Sequence, residues 1–196
     1  MDSWGSIGKP LPDLQLKLVD EEGNDTTDRG RGEACIRGPT VIRGYFENDK
    51  VNKRSWDAQG YFKTGDVMEI SPKTGLLYVV ERQKDLIKVR GFQVAPAELE
   101  GALTSHPDIT DAAVIGVPDE RSGELPRAYI VLRTGASLSP DEIKSYMRSR
   151  LAGYKSLEGG IVFAPEIPKL PSGKILKRVI REWANKEQER ISTAKL

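Results

Sequence analysis

The chain has 196 residues, of which 30% are charged and 38% hydrophobic, and its formal net charge is +1. This length allows one large domain or two small ones with a real core, and the balanced charge gives no sign of a nucleic-acid or membrane surface. A single cysteine, Cys35, excludes an internal disulfide framework and a cysteine metal cluster.

Two further features narrow the class of function. His106 is the one histidine in the sequence, so a Ser-His-Asp triad would have to use it, but it precedes Pro107 and is predicted to end a helix. No apolar run approaches the roughly 20 residues that span a bilayer. Residues 1–4 do not begin a signal peptide. We therefore expect a soluble intracellular protein without a histidine triad.

The first part of the chain, residues 1–83, is predicted to be β-rich. Residues 14–19 alternate apolar and polar side chains, which is typical of a strand with one buried face. A turn that contains glycine separates them from a second predicted strand at residues 33–37. Residues 48–55 are predicted to form a short helix.

Residues 61–66 end in the motif Thr-Gly-Asp. We predict that they form a glycine-turned loop that displays Asp66 immediately before a strand at residues 67–70. A carboxylate at the start of a strand can accept hydrogen bonds from sugar hydroxyls, as acids do on riboses in nucleotide sites. Gly-Asp is also ordinary turn chemistry, and the residues alone leave both interpretations open.

The stretch Glu81–Glu100 combines basic side chains with a glycine turn. It follows an apolar run at residues 76–80 that is predicted to be a buried strand. Arg90-Gly91 is predicted to be a tight turn, because glycine adopts positive φ without steric cost. The basic side chains of the stretch are Arg82, Lys84, Lys88 and Arg90. Cations beside a glycine turn suit an anionic ligand, and the alternative is a solvated charged hairpin.

The pattern changes to mixed α and β from about Lys84, which places a domain boundary near Gln83-Lys84. A helix is predicted from Pro96 to Leu103, with proline in its first turn. Strands are predicted at residues 112–117 and 128–132. The fold class is therefore predicted to be α+β, with a small β-rich subdomain followed by a mixed α+β domain.

The rest of this second part contains two predicted helices and one short strand. Ser139 and Glu142 form a capping box, and the helix that follows carries a buried stripe of Ile143, Met147 and Leu151. A strand is predicted at residues 161–163. The final helix is predicted at residues 175–189. Its inward side chains are predicted to be Leu176, Val179, Ile180 and Trp183.

The segment 170–174, Leu-Pro-Ser-Gly-Lys, is predicted to be a tight loop that presents Lys174 outward. It is not a Walker phosphate loop, because Pro168 stands where the first glycine is required and Ile175 replaces the Ser or Thr. The alternative interpretation is an exposed lysine in a turn before a helix.

Five motifs together resemble one known family. They are GEACIRGPTVIRGYF, YFKTGD, ERQKDLIKVRGFQVAPAELE, HPDITDAAVIGVPD and EIPKLPSGKILKR. Their order and separations resemble the carboxyl-terminal part of the adenylate-forming (AMP-binding) enzymes, most closely the branch of 4-coumarate–CoA ligases, luciferases and acyl-CoA ligases. The resemblance runs from Gly5 to the last helix.

The resemblance implies a reaction and a domain organisation. The family uses ATP to activate a carboxylic acid as an acyl-adenylate, and then transfers the acyl group to the thiol of CoA. Residues 1–83 would be the terminal β-subdomain of the large AMP-binding domain, and residues 84–196 the mobile lid domain. The implied ligands are ATP or AMP, CoA and a carboxylic acid, with Mg²⁺ arriving with ATP.

The resemblance also implies roles for individual residues. Asp66 and Arg82 would contact the ribose of the nucleotide, and Lys84 would be the hinge on which the lid domain turns. Lys174 would reach the substrate carboxylate and the α-phosphate during adenylation.

A second set of residues is implied for the thioester step. Arg90 and Gly91 would lie on the CoA side of the active site, and Lys88 and Gln93 near the nucleotide. Turning the lid domain about its hinge would then exchange Lys174 for Lys88 at the reaction centre.

Several parts of the family's pattern are not found in this sequence. The Ser/Thr/Gly-rich phosphate loop, the Pro-Lys-Gly element and the segments that build the acyl pocket and clamp adenine are missing. We therefore expect the isolated chain to form no acyl-adenylate, and we expect an exposed apolar patch on its β-subdomain. Two alternatives stay open: an adenylation domain that loads a carrier protein, and a non-catalytic remnant that binds a full-length paralogue.

The last three residues, Ala194-Lys195-Leu196, resemble the Ser-Lys-Leu peroxisomal address with one small-residue change. Peroxisomal members are common in the branch that the chain resembles. The tripeptide therefore predicts import into the peroxisome.

Overall fold

The computed structural model describes the backbone of residues 4–193 and the side chains of residues 4–187. It has the predicted α+β fold and divides into two compact units, Met1–Lys84 and Asp85–Leu196. The assignment of these units to a large domain and a lid domain stays a prediction. None of the described helices combines the length and hydropathy that a membrane span requires. Residues 194–196, with the predicted peroxisomal address, lie outside the described residues.

The first unit is built on a five-stranded antiparallel sheet. Its strands are β1 (Ser6–Gly8), β2 (Gln15–Val19), β3 (Arg31–Arg37), β4 (Phe62–Ile70) and β5 (Leu77–Arg82). The order across the sheet is β1-β5-β4-β3-β2. Helix α1 (Asp49–Ser55) confirms the prediction for residues 48–55, and it begins where the side chain of Asn48 accepts a hydrogen bond from the Val51 amide at 3.3 Å.

The core of this unit is small, and several large apolar side chains are exposed. The buried apolar residues include Leu18, Ala34, Cys35, Val67 and Leu77. The exposed ones include Trp4, Ile7, Leu11, Ile42 and Phe46. The first unit therefore presents much apolar surface to solvent for its size.

The structure corrects the prediction of a loop at residues 61–66. These residues belong largely to β4, which runs from Phe62 through Asp66 to Ile70. Cys35 pairs with Lys63 and Glu33 pairs with Val67, so three residues of β4 lie opposite the single residue between them in β3. Asp66 thus lies in a bulge inside a strand. A bulge depends on the partner strand, which the local sequence does not reveal.

The second unit is built on a sheet covered by helices on both faces. Its elements are β6 (Ile87–Val89), β7 (Phe92–Val94), α2 (Pro96–Thr104), β8 (Ile109–Asp119), β9 (Gly123–Leu132), α3 (Pro140–Arg148), β10 (Gly160–Phe163) and α4 (Lys177–Thr193). The sheet order is β10-β9-β6-β7, with β8 also paired to β9. Strand β10 is parallel to β9, and the other pairs are antiparallel.

The side chains of β8 alternate between two cores. Ala112 and Val114 belong to a cluster with Leu99 of α2 and Met147 of α3. Ala113 and its neighbours on the opposite face belong to a second cluster with residues of α4. Because both faces are buried, the strand has a nearly continuous apolar run instead of an alternating one.

Two helix predictions need correction. Ile143 and Met147 are buried on α3, whose predicted capping box is present, but α3 ends at Arg148 and Leu151 lies beyond it. The final helix begins at Lys177 and ends at Thr193, later than predicted at both ends. Helix α4 starts late because residues 168–176 form a hairpin-like turn that is held by its own backbone hydrogen bonds.

The burial of the final helix also differs in part from the prediction. Ile180 is buried as predicted, and Trp183 packs against the second cluster. Ala184, which was not predicted, is buried beside them. Leu176 and Val179 are only half-buried, and Leu176 precedes the helix.

Candidate functional site

Asp66 and Arg82 lie side by side in the first unit. They are register partners across β4 and β5, and Arg82 Nε donates to Asp66 Oδ1 at 2.8 Å. The two side chains are 27% and 49% exposed, so both keep access to solvent. A carboxylate can accept more than one hydrogen bond, which leaves Asp66 able to bind a hydroxyl as well as its arginine.

The Thr-Gly-Asp motif explains the bulge that carries Asp66. Gly65 has a φ of 74°, a conformation that side chains disfavour. Thr64 Oγ1 donates to the Ala34 carbonyl at 2.8 Å and accepts from the Asp66 amide at 3.1 Å. Glu33 is buried and accepts from the Gly65 amide at 3.0 Å. Sequence analysis missed Glu33, because nothing in its local sequence marks a buried carboxylate.

The hairpin of β6 and β7 carries four of the predicted site residues. Arg90 and Gly91 have φ values of 50° and 83° and form its two-residue turn, as predicted. Positive φ at both positions is what a type I′ turn requires. Lys88 pairs with Gln93 across the hairpin, so their side chains share one face. Ile87 and Val89 on the opposite face of β6 are buried, which fixes the face on which Lys88 lies.

Arg90 is held by the neighbouring turn at residues 119–122. Its Nε donates to Ser122 Oγ at 3.1 Å and its amide donates to the Ser122 carbonyl at 2.8 Å. Its guanidinium also lies 3.5 Å from a carboxylate oxygen of Glu158 and remains 65% exposed. The Ser122 amide donates to Asp119 and lowers the pKa of that carboxyl below its usual value.

Sequence analysis did not identify the residues that support this hairpin. Ser122 and Glu158 contact Arg90, and a carboxylate oxygen of Glu124 accepts from the Lys88 amide at 2.9 Å. Asp-Glu-Arg-Ser-Gly at residues 119–123 could have been recognised as a turn, but its pairing with the hairpin depends on the tertiary fold.

Lys84 lies where the chain passes from one unit to the other. It is the central residue of a 3-10 turn, Gln83–Asp85. Arg82 before it is paired with Asp66, and Asp85 after it accepts from Arg181 of α4 at 2.8 Å. The chain is therefore anchored on each side of Gln83-Lys84 by a residue of a different unit.

Lys174 stands in the predicted tight turn of the second unit. The Gly173 amide donates to the Leu170 carbonyl at 2.8 Å, and the Leu170 amide donates to the Lys174 carbonyl at 2.9 Å. Gly173 has a φ of 83°, and Pro171 fixes φ at a position where turns favour proline. The Lys174 side chain is exposed and forms no ion pair within the described residues.

The structure groups the predicted site residues into three places besides Lys84, which lies between the units. Asp66 and Arg82 form one pair in the first unit, and the β6–β7 hairpin with Lys88 forms a second group. Lys174 stands on a separate turn, but in the same compact unit as Lys88. The catalytic and binding roles of these residues stay predictions.

Comparison with known proteins gives matches to two family profiles. Residues 98–174 match the family described as AMP-binding enzyme C-terminal domain. Residues 1–46 match the family described as AMP-binding enzyme.

Curated relatives cover almost the whole chain. Acyl-CoA synthetase ACTT5 of Alternaria alternata is 51% identical over 98% of this chain and 34% of its own length. Probable 4-coumarate–CoA ligase 3 of Dictyostelium discoideum is 40% identical over 92% of this chain and 33% of its own length. The chain thus spans about a third of the length of the curated relatives that it matches.

Solved structures share the fold. o-Succinylbenzoate CoA synthetase from Bacillus subtilis, in complex with its acyl-adenylate intermediate, gives a TM-score of 0.78 at 35% identity, over 91% of this chain and 36% of that one. ATP-bound MatB from Rhodopseudomonas palustris gives 0.81 at 30% identity, over 91% and 35%. The chain belongs to the adenylate-forming (AMP-binding) enzyme superfamily and corresponds to the carboxyl-terminal part of its acyl-CoA ligases.

Proposed function

We propose that the chain is the carboxyl-terminal part of an ATP-dependent acyl- or aryl-CoA ligase. The whole enzyme would convert a carboxylic acid to an acyl-adenylate and then to a CoA thioester. One observation carries the proposal: Lys88 on strand β6 and Lys174 in a separate turn belong to one compact unit. A rotation of that unit would move both lysines together, withdrawing one from the reaction centre as the other enters.

Lys174 suits the adenylation step. A carboxylate there attacks a phosphorus that already carries negative charge, so a positioned cation brings the two anions together and stabilises the transition state. A lysine ammonium is a compact point charge on a flexible stem. The exposed turn at residues 170–174 presents this charge outward. Mg²⁺ would arrive bound to ATP.

The β6–β7 hairpin suits the thioester step. Lys88 and Gln93 share one face of the hairpin and would lie near the nucleotide. Arg90 and Gly91 form its tip and would lie on the CoA side. The exposed guanidinium of Arg90 is available to an anionic group. Gly91 leaves room for a close approach, because no atom lies within 4 Å of the position that a Cβ would occupy.

Asp66 and Arg82 suit the ribose of ATP or AMP. Arg82 orients the Asp66 carboxylate through a hydrogen bond of 2.8 Å, and the remaining acceptor positions of that carboxylate can bind hydroxyls. Both residues belong to the first unit, whereas Lys88 and Lys174 belong to the second. The nucleotide would therefore stay on the first unit while the second unit turns at Lys84.

We propose that the chain is inactive alone and needs a large domain that supplies the phosphate loop and the acyl pocket. The test is to measure pyrophosphate exchange into ATP by the purified chain, and then by the chain mixed with the complementary large domain of a related ligase. We expect no exchange in the first case, and exchange followed by thioester formation in the second.

Other outcomes of this experiment would change the proposal. Exchange by the chain alone would contradict its inactivity. Acyl transfer to a carrier protein but not to CoA would favour an adenylation domain instead of a CoA ligase. Failure of every complementing domain would favour a non-catalytic remnant.

We also propose that Ala194-Lys195-Leu196 directs import into the peroxisome. Fusing the last twelve or so residues to a fluorescent reporter tests this, because a punctate peroxisomal signal is expected. A diffuse cytosolic signal would contradict it. A matched reporter whose final Leu196 is changed to Ser is the control.

A further inference from the structure

We infer that Asp111 and Glu100 are positioning residues for Lys174, because each holds one leg of the turn that carries it. The inference rests on the proposed role of Lys174 in adenylation. It concerns residues on two different elements, β8 and α2, that lie far from Lys174 in sequence.

The turn is a narrow hairpin, whose first leg ends at Lys169 and whose second leg begins at Ile175. These two residues pair in antiparallel fashion at its base. The Leu176 amide donates to the Pro168 carbonyl at 2.8 Å and closes the hairpin one step further down. Residues 170–174 beyond this base are exposed. The direction in which Lys174 projects therefore depends on how the two legs are held.

The first leg is fixed by Asp111 of β8. Lys169 Nζ lies 2.6 Å from Asp111 Oδ2, and the two side chains are 36% and 26% exposed. The other carboxylate oxygen of Asp111 accepts from the Ala112 amide at 3.0 Å. This second bond fixes the orientation of the carboxylate before it meets its lysine, so Lys169 is attached to a rigid strand.

The second leg is fixed by Glu100 of α2. Lys177 Nζ lies 3.5 Å from Glu100 Oε1, and both side chains are largely buried, at 15% and 14% exposure. Glu100 Oε1 also accepts from the Val114 amide at 2.9 Å, which links the carboxylate to β8 as well as to α2. Lys177 is the first residue of α4, so this contact fixes the point where the turn becomes a helix.

Apolar contacts hold the hairpin on the sheet but do not set its direction. Ile167 and Ile175 pack with the cluster beneath α4, where contacts are non-directional. An ion pair with a short hydrogen bond, such as that between Lys169 and Asp111, restricts direction more strongly. The partly exposed Lys169–Asp111 pair contributes little to global stability, whereas a misplacement of about 1 Å can cost about a hundredfold in catalysis. Asp111 is thus better explained by positioning than by stability, and the more buried Glu100 serves both.

The first test uses the chain alone and measures amide hydrogen exchange by NMR. Asp111→Asn removes the charge but keeps an acceptor for the Ala112 amide, and Glu100→Gln does the same for Val114. We expect exchange at the Leu170 and Leu176 amides to rise about threefold in each variant and about tenfold in the double variant, since each substitution weakens one of the two attachments of the turn. Amides in the centre of β9 should exchange at an unchanged rate.

A matched control is available on the same helix. Glu98 forms an ion pair at 2.5 Å with Lys155, a residue outside the Lys174 turn. Glu98→Gln should leave the exchange of the Leu170 and Leu176 amides unchanged. If Asp111→Asn and Glu100→Gln also leave these amides unchanged, the inference is wrong.

The second test measures the two half-reactions of the chain completed with a large domain. Asp111→Asn should lower kcat for adenylation about tenfold, with KM nearly unchanged and with thioester formation from supplied acyl-adenylate unaffected. Asp111→Glu, which keeps the charge, should recover part of the loss. Equal losses in both half-reactions, or no loss in either, would overturn the inference.

The two tests separate this inference from the proposed function. If no large domain restores activity to the unmodified chain, the proposed function fails while hydrogen exchange still decides whether the carboxylates hold the turn. If exchange rises and activity is restored but unchanged by Asp111→Asn, the function stands and the positioning role is rejected.

Discussion

At the scale of single residues, some charged side chains form ion pairs within the chain and others are left exposed to solvent. Lys169 and Lys177 are each paired with a carboxylate, whereas Lys174 between them is exposed in its turn. Pairing Lys169 and Lys177 leaves Lys174 available for the anionic ligand that we propose for it, and it neutralises the neighbouring positive charge. Arg82 and Asp66 show the complementary arrangement, in which a cation orients a carboxylate.

Cys35 illustrates what burial does to an ionisable side chain. It is 1% exposed, and burial, with a smaller effect of the Glu33 charge, raises the pKa of its thiol from 9.0 to about 11. A thiol that stays protonated is a poor nucleophile. The single cysteine is therefore a core residue, and its burial works against a role as a nucleophile.

We predict a pH dependence of stability from this thiol. Below the unfolded pKa both states keep the proton. Between about pH 9 and pH 11 the unfolded chain releases it while the folded chain does not, so the free energy of unfolding falls as the pH rises. The loss should be about 1 kcal/mol between about pH 8 and pH 10.

Urea unfolding of the chain and of Cys35→Ala at both pH values measures this effect. In the variant, the free energy of unfolding should lack the pH-dependent decrease that the thiol causes. It should also be lower at both pH values, because the substitution leaves a cavity. If the free energy of unfolding changes by the same amount between the two pH values in both proteins, the prediction is wrong. Rapid reaction of the folded chain with Ellman's reagent at about pH 8 would also contradict the burial of the thiol.

At the scale of elements, local backbone chemistry determines the turns that carry the site. The hairpin with Lys88 turns at Arg90-Gly91, and the turn with Lys174 uses Pro171 and Gly173. Gly91 and Gly173 both have positive φ. The first closes the hairpin whose strand β6 carries Lys88, and the second lies in the turn that presents Lys174. Both turns belong to the unit with the larger core, which gives them a rigid support.

We predict opposite effects for two glycine-to-alanine substitutions in the second unit. Gly91 has a φ of 83° and Gly101 lies inside α2, and neither has an atom within 4 Å of the added methyl group. Gly91→Ala should lower the free energy of unfolding by about 1 kcal/mol, because alanine disfavours positive φ. Gly101→Ala should raise it by roughly 0.5–1 kcal/mol, because alanine is the better helix former.

Chemical denaturation of the two variants checks these signs against each other. The comparison is clean because steric crowding is absent at both positions. Destabilisation by Gly101→Ala, or stabilisation by Gly91→Ala, would mean that the backbone conformation of that element is assigned wrongly.

The turns could be predicted from sequence, and the contacts that orient them could not. Arg90-Gly91 and the Leu-Pro-Ser-Gly-Lys segment are recognisable from local sequence, since proline fixes φ and glycine permits the positive φ that such turns need. The bulge at Asp66 needs the partner strand β3, so sequence analysis placed this residue in a loop. The attachment of Lys169 to Asp111 joins residues distant in sequence, and no local pattern marks it.

At the scale of the whole molecule, the chain consists of two compact units that are joined at Lys84. The second unit has helices on both faces of its sheet and two apolar clusters. The first has a smaller core and exposes Trp4, Phe46 and other large apolar side chains. We expect the first unit to pack these side chains against a large domain in a complete ligase.

We predict that residues 85–196 fold without the rest of the chain. Both apolar clusters are made within this segment, and so are the contacts of Arg90, Lys169 and Lys177. The segment should unfold cooperatively. Its amides in β8 and β9 should be as strongly protected from hydrogen exchange as the same amides of the full chain. Non-cooperative unfolding with lost protection would mean that this unit needs the first one.

The central claim is that Lys174 and Lys88 serve successive steps at one reaction centre. It is tested by measuring both half-reactions of the chain completed with a large domain, for Lys174→Ala and Lys88→Ala, with Lys186→Ala as an exposed-lysine control. We predict that Lys174→Ala abolishes most adenylation but spares thioester formation from supplied acyl-adenylate, and that Lys88→Ala does the reverse. Loss of the same half-reaction in both variants, or equal losses of both, would contradict the claim.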